Sequence, residues 1–373
     1  MNTAIQINEE ITARQQEAFM GKMIEALNGF FDIHTIYLGN RLGLYKPLTG
    51  STPLTANELA ARTGTDERYV REWLEAQTVS GILKVDDANA PARKRRFSLP
   101  TGHTEVLTDQ ESVNYLAPVA RAAMGAALPL ESIVSAFRTG EGVSFADYGT
   151  DLRQGLGELN RPLFMKQLGD EYLPSIPDIH RRLSADPAAR VADVGCGTGW
   201  SSIGMAKFYP KIRVDGFDLD PASVEEAQTH AKEAGISDRV RFDLRDAGDS
   251  SLSGRYDLVT AFETIHDMAD PVKSLRNMLR LAGPTGSVIV MDERTAERFT
   301  PEGNEIERIL YGFSILSCLP AGRFESPSMG TGAVMRPETL REYAREAGFC
   351  EVEILPIDNF FFRFYRLKTN CNA

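Results

Sequence analysis

The stretch FETIHDMADP, Phe262 to Pro271, sets a histidine beside an aspartate directly after an apolar run. A histidine near its ordinary pKa of ~6.5 can take a proton at neutral pH, whereas a phenol with a pKa of ~10 is ionised to only about a thousandth. A positioned base of this kind is typically worth ~100- to 10,000-fold. His266 is therefore a candidate general base, with Asp267 next to it. Further along, VIVMDE supplies Asp292 or Glu293 as an acid that can orient the imidazole. Alone, the pair reads first as a histidine that ends a strand and is satisfied by ordinary hydrogen bonds.

A second group of residues can hold a ligand. VADVGCGTGW carries Asp193 and then Gly195, Gly197 and Gly199. Glycines let a turn be tight and let a ligand approach the backbone, and a following helix N-terminus presents N–H groups. The dinucleotide pattern G-x-G-x-x-G needs a glycine at position 200, where Trp200 stands. A carboxylate at 193 repels a pyrophosphate but can bind an ammonium. DGFDLDP brings Asp218, an acid suited to ribose hydroxyls, and FDLRDAGD brings Asp246 and Ala247, where a carboxylate can accept from an exocyclic amine. The implied ligand has an ammonium, a ribose and an amino-purine, and no phosphates.

Elements must place these groups along one edge. From Val191 on, short apolar runs (RVADVG, RVDGFDL, RVRFDLR, YDLVTAF, GSVIVMDE) alternate with amphipathic helical segments, which predicts a parallel sheet covered on both faces. Ligands bind at the carboxyl edge of such a sheet. CEVEILPID and FFFRFYRL follow with no helix between them, a terminal hairpin. Before this lies a helical region, roughly 104–189. Met23 to Leu48 carries apolar residues at helical spacing and reads as two helices. Thr55 can cap a helix that Gly64 ends, and Thr65 can cap another running to about Ser80. GILKVDD and RRFSLPT then read as two short strands around a loop, a winged-helix pattern.

Arg190 to about Glu293, with these motifs in order, resembles the class I S-adenosylmethionine-dependent methyltransferases. The resemblance implies an α/β fold: a Rossmann-like seven-stranded methyltransferase domain preceded by a mostly helical winged-helix dimerisation domain. It implies S-adenosylmethionine as cofactor, met by Asp193, Gly195, Cys196, Gly197 and Gly199 on the methionine side, by Asp218 and Leu219 at the ribose, by Asp246 and Ala247 at the adenine, and by Glu263. The domain order further resembles that of small-molecule O-methyltransferases, whose HDW motif after the fourth strand supplies the base. Here the text is HDM, with Met268 in the tryptophan's place, as in a bacterial branch of winged-helix methyltransferases. RPETLREYAREAGF and SAFRTGEGVSFADYGTD also resemble segments of that group. The implied domains are 1–103, 104–189 and 190–373.

The 373-residue chain is long for one core. Its net charge of −11 and the acidic helix DERYVREWLEAQ argue against nucleic-acid binding. Four scattered cysteines fit a reduced, cytoplasmic protein. No apolar run is long enough to span a membrane, and His34, His103, His180 and His230 lack metal-ligand spacing, so no metal is expected. The reading is methyl transfer to a small-molecule acceptor, phenolic or enolic, in a homodimer joined by the N-terminal helices around GFFDIHTIY. The alternatives are N-, C- or carboxyl methylation without an essential base, and a non-catalytic regulator that binds S-adenosylmethionine and DNA. The stretch 294–332 is expected to form a helix and loop over the acceptor.

Overall fold

The computed structural model describes residues 2–50 and 52–370. The chain divides into two compact units, Met1–Arg121 and Ala122–Ala373.

In the first unit, Asn2–Arg41 is one helix, α1. The expected pair of helices is corrected by simple energetics: the only breakers within it are glycines, at ~1 kcal/mol each, and the first proline is Pro47. α2 (Ala56–Thr63) opens on a reciprocal cap, Thr55 accepting from the Glu58 N–H while Glu58 accepts from the Thr55 N–H, and ends at Gly64 in the left-handed region. α3 (Glu67–Val79) is capped by Asp66, whose carboxylate accepts from the N–H groups of Arg68 and Tyr69. The cap expected at Thr65 is thus one residue late, because a carboxylate outcompetes a hydroxyl already bonded to Thr63. β1 (Lys84–Val85) and β2 (Phe97–Ser98) pair antiparallel as the wing. Leu59, Val70, Leu74 and Phe97 lie in this unit's core. α4 (Thr101–Thr108) follows, and α5 (Ala117–Ala126) carries the chain into the second unit.

The second unit continues with α6 (Leu130–Thr139) and α7 (Gly149–Pro162), the latter running on as a π-helical stretch, Leu163–Tyr172, and then α8 (Pro177–Ser184). The sheet then begins, with strands and helices in alternation: β3 (Arg190–Val194), α9 (Trp200–Phe208), β4 (Arg213–Asp218), α10 (Pro221–Glu233) and β5 (Val240–Leu244). After these come β6 (Leu258–Phe262), α11 (Pro271–Ala282) and β7 (Ser287–Glu293). α12 (Glu305–Phe313), a π-helical turn at Ser314–Cys318, α13 (Leu319–Gly322) and α14 (Pro337–Ala347) precede the hairpin β8 (Glu351–Ile354) and β9 (Phe362–Lys368). Strand order is β5-β4-β3-β6-β7-β9-β8. β3 to β7 are parallel, and β9 is antiparallel to both β7 and β8.

The chain winds outward from β3 to β5, then returns to lay β6 on β3's other side. The two turns that leave β3 and β6 therefore diverge, opening a crevice at the switch point. Two cores flank the sheet, one including Ile203, Val214 and Phe242, the other Leu275, Met278 and Leu340. Asp–Pro pairs start the helices on the crevice side: Asp220 caps α10 through the Ser223 N–H, and Asp270 caps α11 through the Lys273 N–H, each with proline next. Among the described residues, Cys196 and Cys318 are free. Among the described residues, no single helix is long and apolar enough to cross a membrane.

Candidate active site at the carboxyl edge

The turn after β3 meets the turn after β6 face to face. Gly195 has φ +65°, and a Cβ there would lie 2.1 Å from the Thr264 hydroxyl oxygen, so no other residue fits. Gly197, also at positive φ, has open space where a Cβ would be, which is the close backbone approach a ligand needs. The N–H groups of this turn are already used: those of Gly195 and Cys196 donate to the Phe217 carbonyl, that of Gly199 to the Cys196 carbonyl, and that of Gly197 to Asp218 at 2.8 Å. The turn therefore offers a surface to a ligand. At Cys196 the N–H is taken and the side chain is buried in the core, where burial raises its thiol pKa well above the usual range, so only its backbone is at the turn's surface.

Asp193 departs from its expected part. It is buried, and its two oxygens accept from Ser201 at 2.6 Å, Ser202 at 2.7 Å and Thr260 at 2.7 Å. Burial raises its pKa despite those hydroxyls. It ties α9 and β6 to β3 rather than facing the crevice.

Asp218 is held by the N–H groups of Gly197 and Asp220. That fixes the carboxylate at the strand end with lone pairs to spare for ribose hydroxyls. Leu219 beside it is 55% exposed, an apolar shelf next to a polar hook. Asp246 accepts from the Gly248 N–H and pairs with Lys273 at 3.2 Å, with half-buried Ala247 behind it. An open glycine turn, the Asp218 carboxylate, the Leu219 shelf and the Asp246 carboxylate on one edge fit an uncharged-sugar nucleoside, as in S-adenosylmethionine.

The acceptor side is built by β6 and β7. Glu263 takes φ +55°, which only a held side chain sustains. Its N–H donates to the Met291 carbonyl, and its carboxylate accepts from Asn160. The strained residue turns the chain so that Ile265–Asp267 forms a short 3-10 turn. There His266, 2% exposed, donates or accepts through Nδ1 with Asp292 Oδ1 at 2.7 Å. Of the two acids expected to orient it, Asp292 makes the bond, and it also accepts from the Glu293 N–H. Asp267 Oδ1 lies 3.2 Å from Nε2 without an aligned hydrogen bond to it or to any other group. Burial pulls the His266 pKa down, but Asp267 and Asp292 outweigh it and hold the imidazole well above its usual range. Burial pushes Glu263 up to about 7 and Glu293 well above a carboxyl's usual value.

The 294–332 stretch packs onto this turn, with the Gly332 N–H on the His266 carbonyl at 3.0 Å and the Met329 N–H on the Ala269 carbonyl at 2.8 Å. It brings Cys318 to His266 and Asp267. Asn160, Thr264 and Cys318 are site residues that sequence reasoning missed. Position 264 had a signal in its adjacency to Glu263, whereas Asn160 and Cys318 arrive from distant helices. The remaining histidines are bonded elsewhere, His34 to the Phe30 carbonyl, His103 to that of Ile82, His180 to Tyr209 and His230 to the Thr198 carbonyl.

Fold and site define a class: residues 185–314 match the family described as a methyltransferase domain, and residues 34–109 match the Rv2258c-like winged HTH domain. The chain thus couples a winged helix-turn-helix domain to a methyltransferase domain of the kind that uses S-adenosylmethionine. It is similar to norajmaline N-methyltransferase of Rauvolfia serpentina, 31% identical over 144 residues, 36% of this chain and 49% of that one. It is also similar to the O-methyltransferase resE of Aspergillus sclerotiorum, 28% identical over 48% of this chain and 62% of that one. The chain thus spans about half the length of the first of these curated relatives and less than two thirds of the second. Its fold is shared with the solved mitomycin 7-O-methyltransferase MmcR at a TM-score of 0.68 and 20% identity, covering 95% of this chain and 99% of that one.

Proposed function

We propose that the protein transfers a methyl group from S-adenosylmethionine to a hydroxyl of a small molecule, with His266 as the base. The observation that carries this is the His266–Asp292 hydrogen bond of 2.7 Å at the switch-point crevice. With Nδ1 tied to Asp292, Nε2 is the nitrogen that faces an acceptor, and it becomes free to take a proton only once Asp267, which helps hold the ring charged, moves off it. When bound, S-adenosylmethionine supplies a methyl already activated on a sulfonium, so the chain's work is alignment and proton removal. Asp218, Leu219, Asp246 and the open face of Gly197 would hold the nucleoside, Glu263 the cationic end. Asp267 would have to swing from Nε2 to admit an acceptor, and its half-exposed side chain leaves room for that.

Methylation of nitrogen without a base is the second reading. Asp267 already stands at the proton-taking nitrogen, and norajmaline N-methyltransferase is among the relatives. An acidic crevice also suits an amine. The test is transfer of labelled methyl into a panel of phenols, carboxylic acids and amines, wild type beside His266→Ala. Phenol methylation that falls at least ~100-fold in the variant supports the base. Amine methylation that survives the substitution supports the second reading.

The protein is further proposed to work as a homodimer through α1. Phe19, Met20, Met23, Ile24, Leu27, Phe30 and Phe31 are exposed along this one helix, a larger apolar row than a solitary chain usually leaves in water. Light scattering after size exclusion tests it, with Phe30→Glu and Phe31→Glu together expected to give the monomer.

A further inference from the structure

We propose that Glu263 and Glu293 together seat the sulfonium charge of bound S-adenosylmethionine, giving up a proton as it binds and recovering one once the methyl has left. The two acids stand at the ends of neighbouring parallel strands. The Glu263 N–H donates to the Met291 carbonyl at 2.7 Å, Glu293 is the last residue of β7, and the two carboxyls are near enough for their charges to repel. Glu263 also stands between the halves of the site. Thr264 beside it meets Gly195 of the glycine turn, and His266 lies on the short turn that follows. A methyl passing from the nucleoside's edge to an acceptor beside His266 leaves a sulfur that lies between the two.

Two further observations mark the pair as a binding site. Glu293 is 7% exposed, and among the described residues only its backbone N–H, not its carboxylate, bonds within the site. Oδ2 of the adjacent Asp292 is buried without a partner as well. Buried polar groups are normally partnered, and an unpaired one is costly. The charged groups that act on the pair are His266, Asp267 and Asp292, with no lysine or arginine among them. Asn160 from α7 donates to Glu263, and on β9 Arg363 is in register with Asp292 and Phe362 with Glu293.

The His266 imidazolium is thus the one cation set against four carboxylates in this group. Burial, joined at Glu293 by the charge of Glu263, keeps a proton on the pair and raises Glu263 to about 7. A sulfonium carries a permanent charge and no proton to donate, so charge matches it where hydrogen bonds do not. Its arrival favours the ionised acids and drives the proton off. When the carbon–sulfur bond breaks, sulfur keeps the electron pair and the positive charge is gone. The pair then takes up one proton, which balances the one the acceptor hydroxyl gives up.

The test is calorimetry of the full chain without acceptor, in buffers of different ionisation enthalpy, which counts protons. S-adenosylmethionine should release on the order of one proton at pH 6.5 and bind about fivefold tighter at pH 7 than at pH 6. S-adenosylhomocysteine keeps the ammonium but lacks the sulfonium, so its affinity should stay within about twofold over that range. Glu293→Gln should move the slope to lower pH, because the like charge on the pair is gone. Glu263→Gln with Glu293→Gln should abolish the slope and weaken S-adenosylmethionine about tenfold or more at pH 7, with S-adenosylhomocysteine changed less than about threefold. Equal proton release by both ligands would put the ammonium on the pair and overturn the proposal, as would a slope that survives the double substitution or is unmoved in Glu293→Gln. The wild-type comparison decides even where a variant does not fold. The proposal rests on the cofactor and not on His266 as base, so loss of phenol methylation and loss of the proton release are separate results.

Discussion

Asp193→Ala separates two accounts of the acid before the glycine turn. The sequence suggests a ligand for the cofactor's ammonium, whereas the geometry makes it a buried strut under three hydroxyls. Ser201, Ser202 and Thr260 are at most 4% exposed. A buried polar group left unpaired costs ~1 to 3 kcal/mol, which sets an upper range of about 3 to 9 kcal/mol for three. Several terms reduce it. Thr260 has a second acceptor in the Ala192 carbonyl at 3.3 Å, helix serines can turn to the carbonyl four residues back, and the buried carboxylate's own desolvation is relieved. A loss of about 2 to 4 kcal/mol remains, a large part of an ordinary domain's stability. The assay is urea unfolding beside titration with S-adenosylhomocysteine. The midpoint should fall clearly, while the dissociation constant of folded protein stays within about threefold. An unchanged midpoint with affinity down tenfold, ~1.4 kcal/mol, would refute the strut and restore the ammonium contact. Because burial raises the Asp193 pKa, its contribution is fully present below the unfolded value of ~3.9 and is lost as pH rises through the folded one. Wild type's margin over Asp193→Asn should therefore shrink between pH 4 and pH 7.

Gly195→Ala should lose about 2 to 5 kcal/mol, from the left-handed backbone and the clash with Thr264; a melting temperature unchanged from wild type would show that the two turns separate freely. Leu219→Ala should weaken S-adenosylhomocysteine binding about fivefold, since covering its exposed half is worth ~1 kcal/mol, with no change in melting temperature. The Arg366 hydrogen bond holds the Asp178 carboxyl below its usual range. Its stabilisation is thus present above the unfolded pKa and lost as pH falls through the folded value. Because the pair is partly solvent-exposed, Asp178→Asn should cost no more than ~0.5 kcal/mol at pH 7 and nothing near pH 2, read from urea midpoints at each pH.

The sheet was legible because each parallel strand is a short apolar run between amphipathic helices, a pattern that burial on both faces imposes. The wing and the terminal hairpin were legible for the same reason, as runs with no helix between them. The length of α1 was not, because glycines punctuate a sequence more loudly than they interrupt a helix whose remaining residues favour it. The cap of α3 was misplaced by one residue where Thr65 and Asp66 compete and only geometry chooses.

At the site, sequence order revealed which residues stand at strand ends but not which way they face. Asp193 and Asp218 look alike on paper, each an acid closing a strand. Serines on α9 turn the first into the interior, while backbone N–H groups hold the second at the edge. The same limit applies to His266. Its motif indicated a histidine near the acceptor, and Asp292 was foreseen as a partner from the end of β7. Cys318 was not, because it reaches the imidazole only through the packing of the 294–332 segment onto the turn after β6. A histidine with a carboxylate on Nδ1 is a base where Nε2 is open to substrate, and an ion-pair partner where a second carboxylate, here Asp267, stays on Nε2. Which it is follows from the packing over the turn, and local spacing carries no information about that.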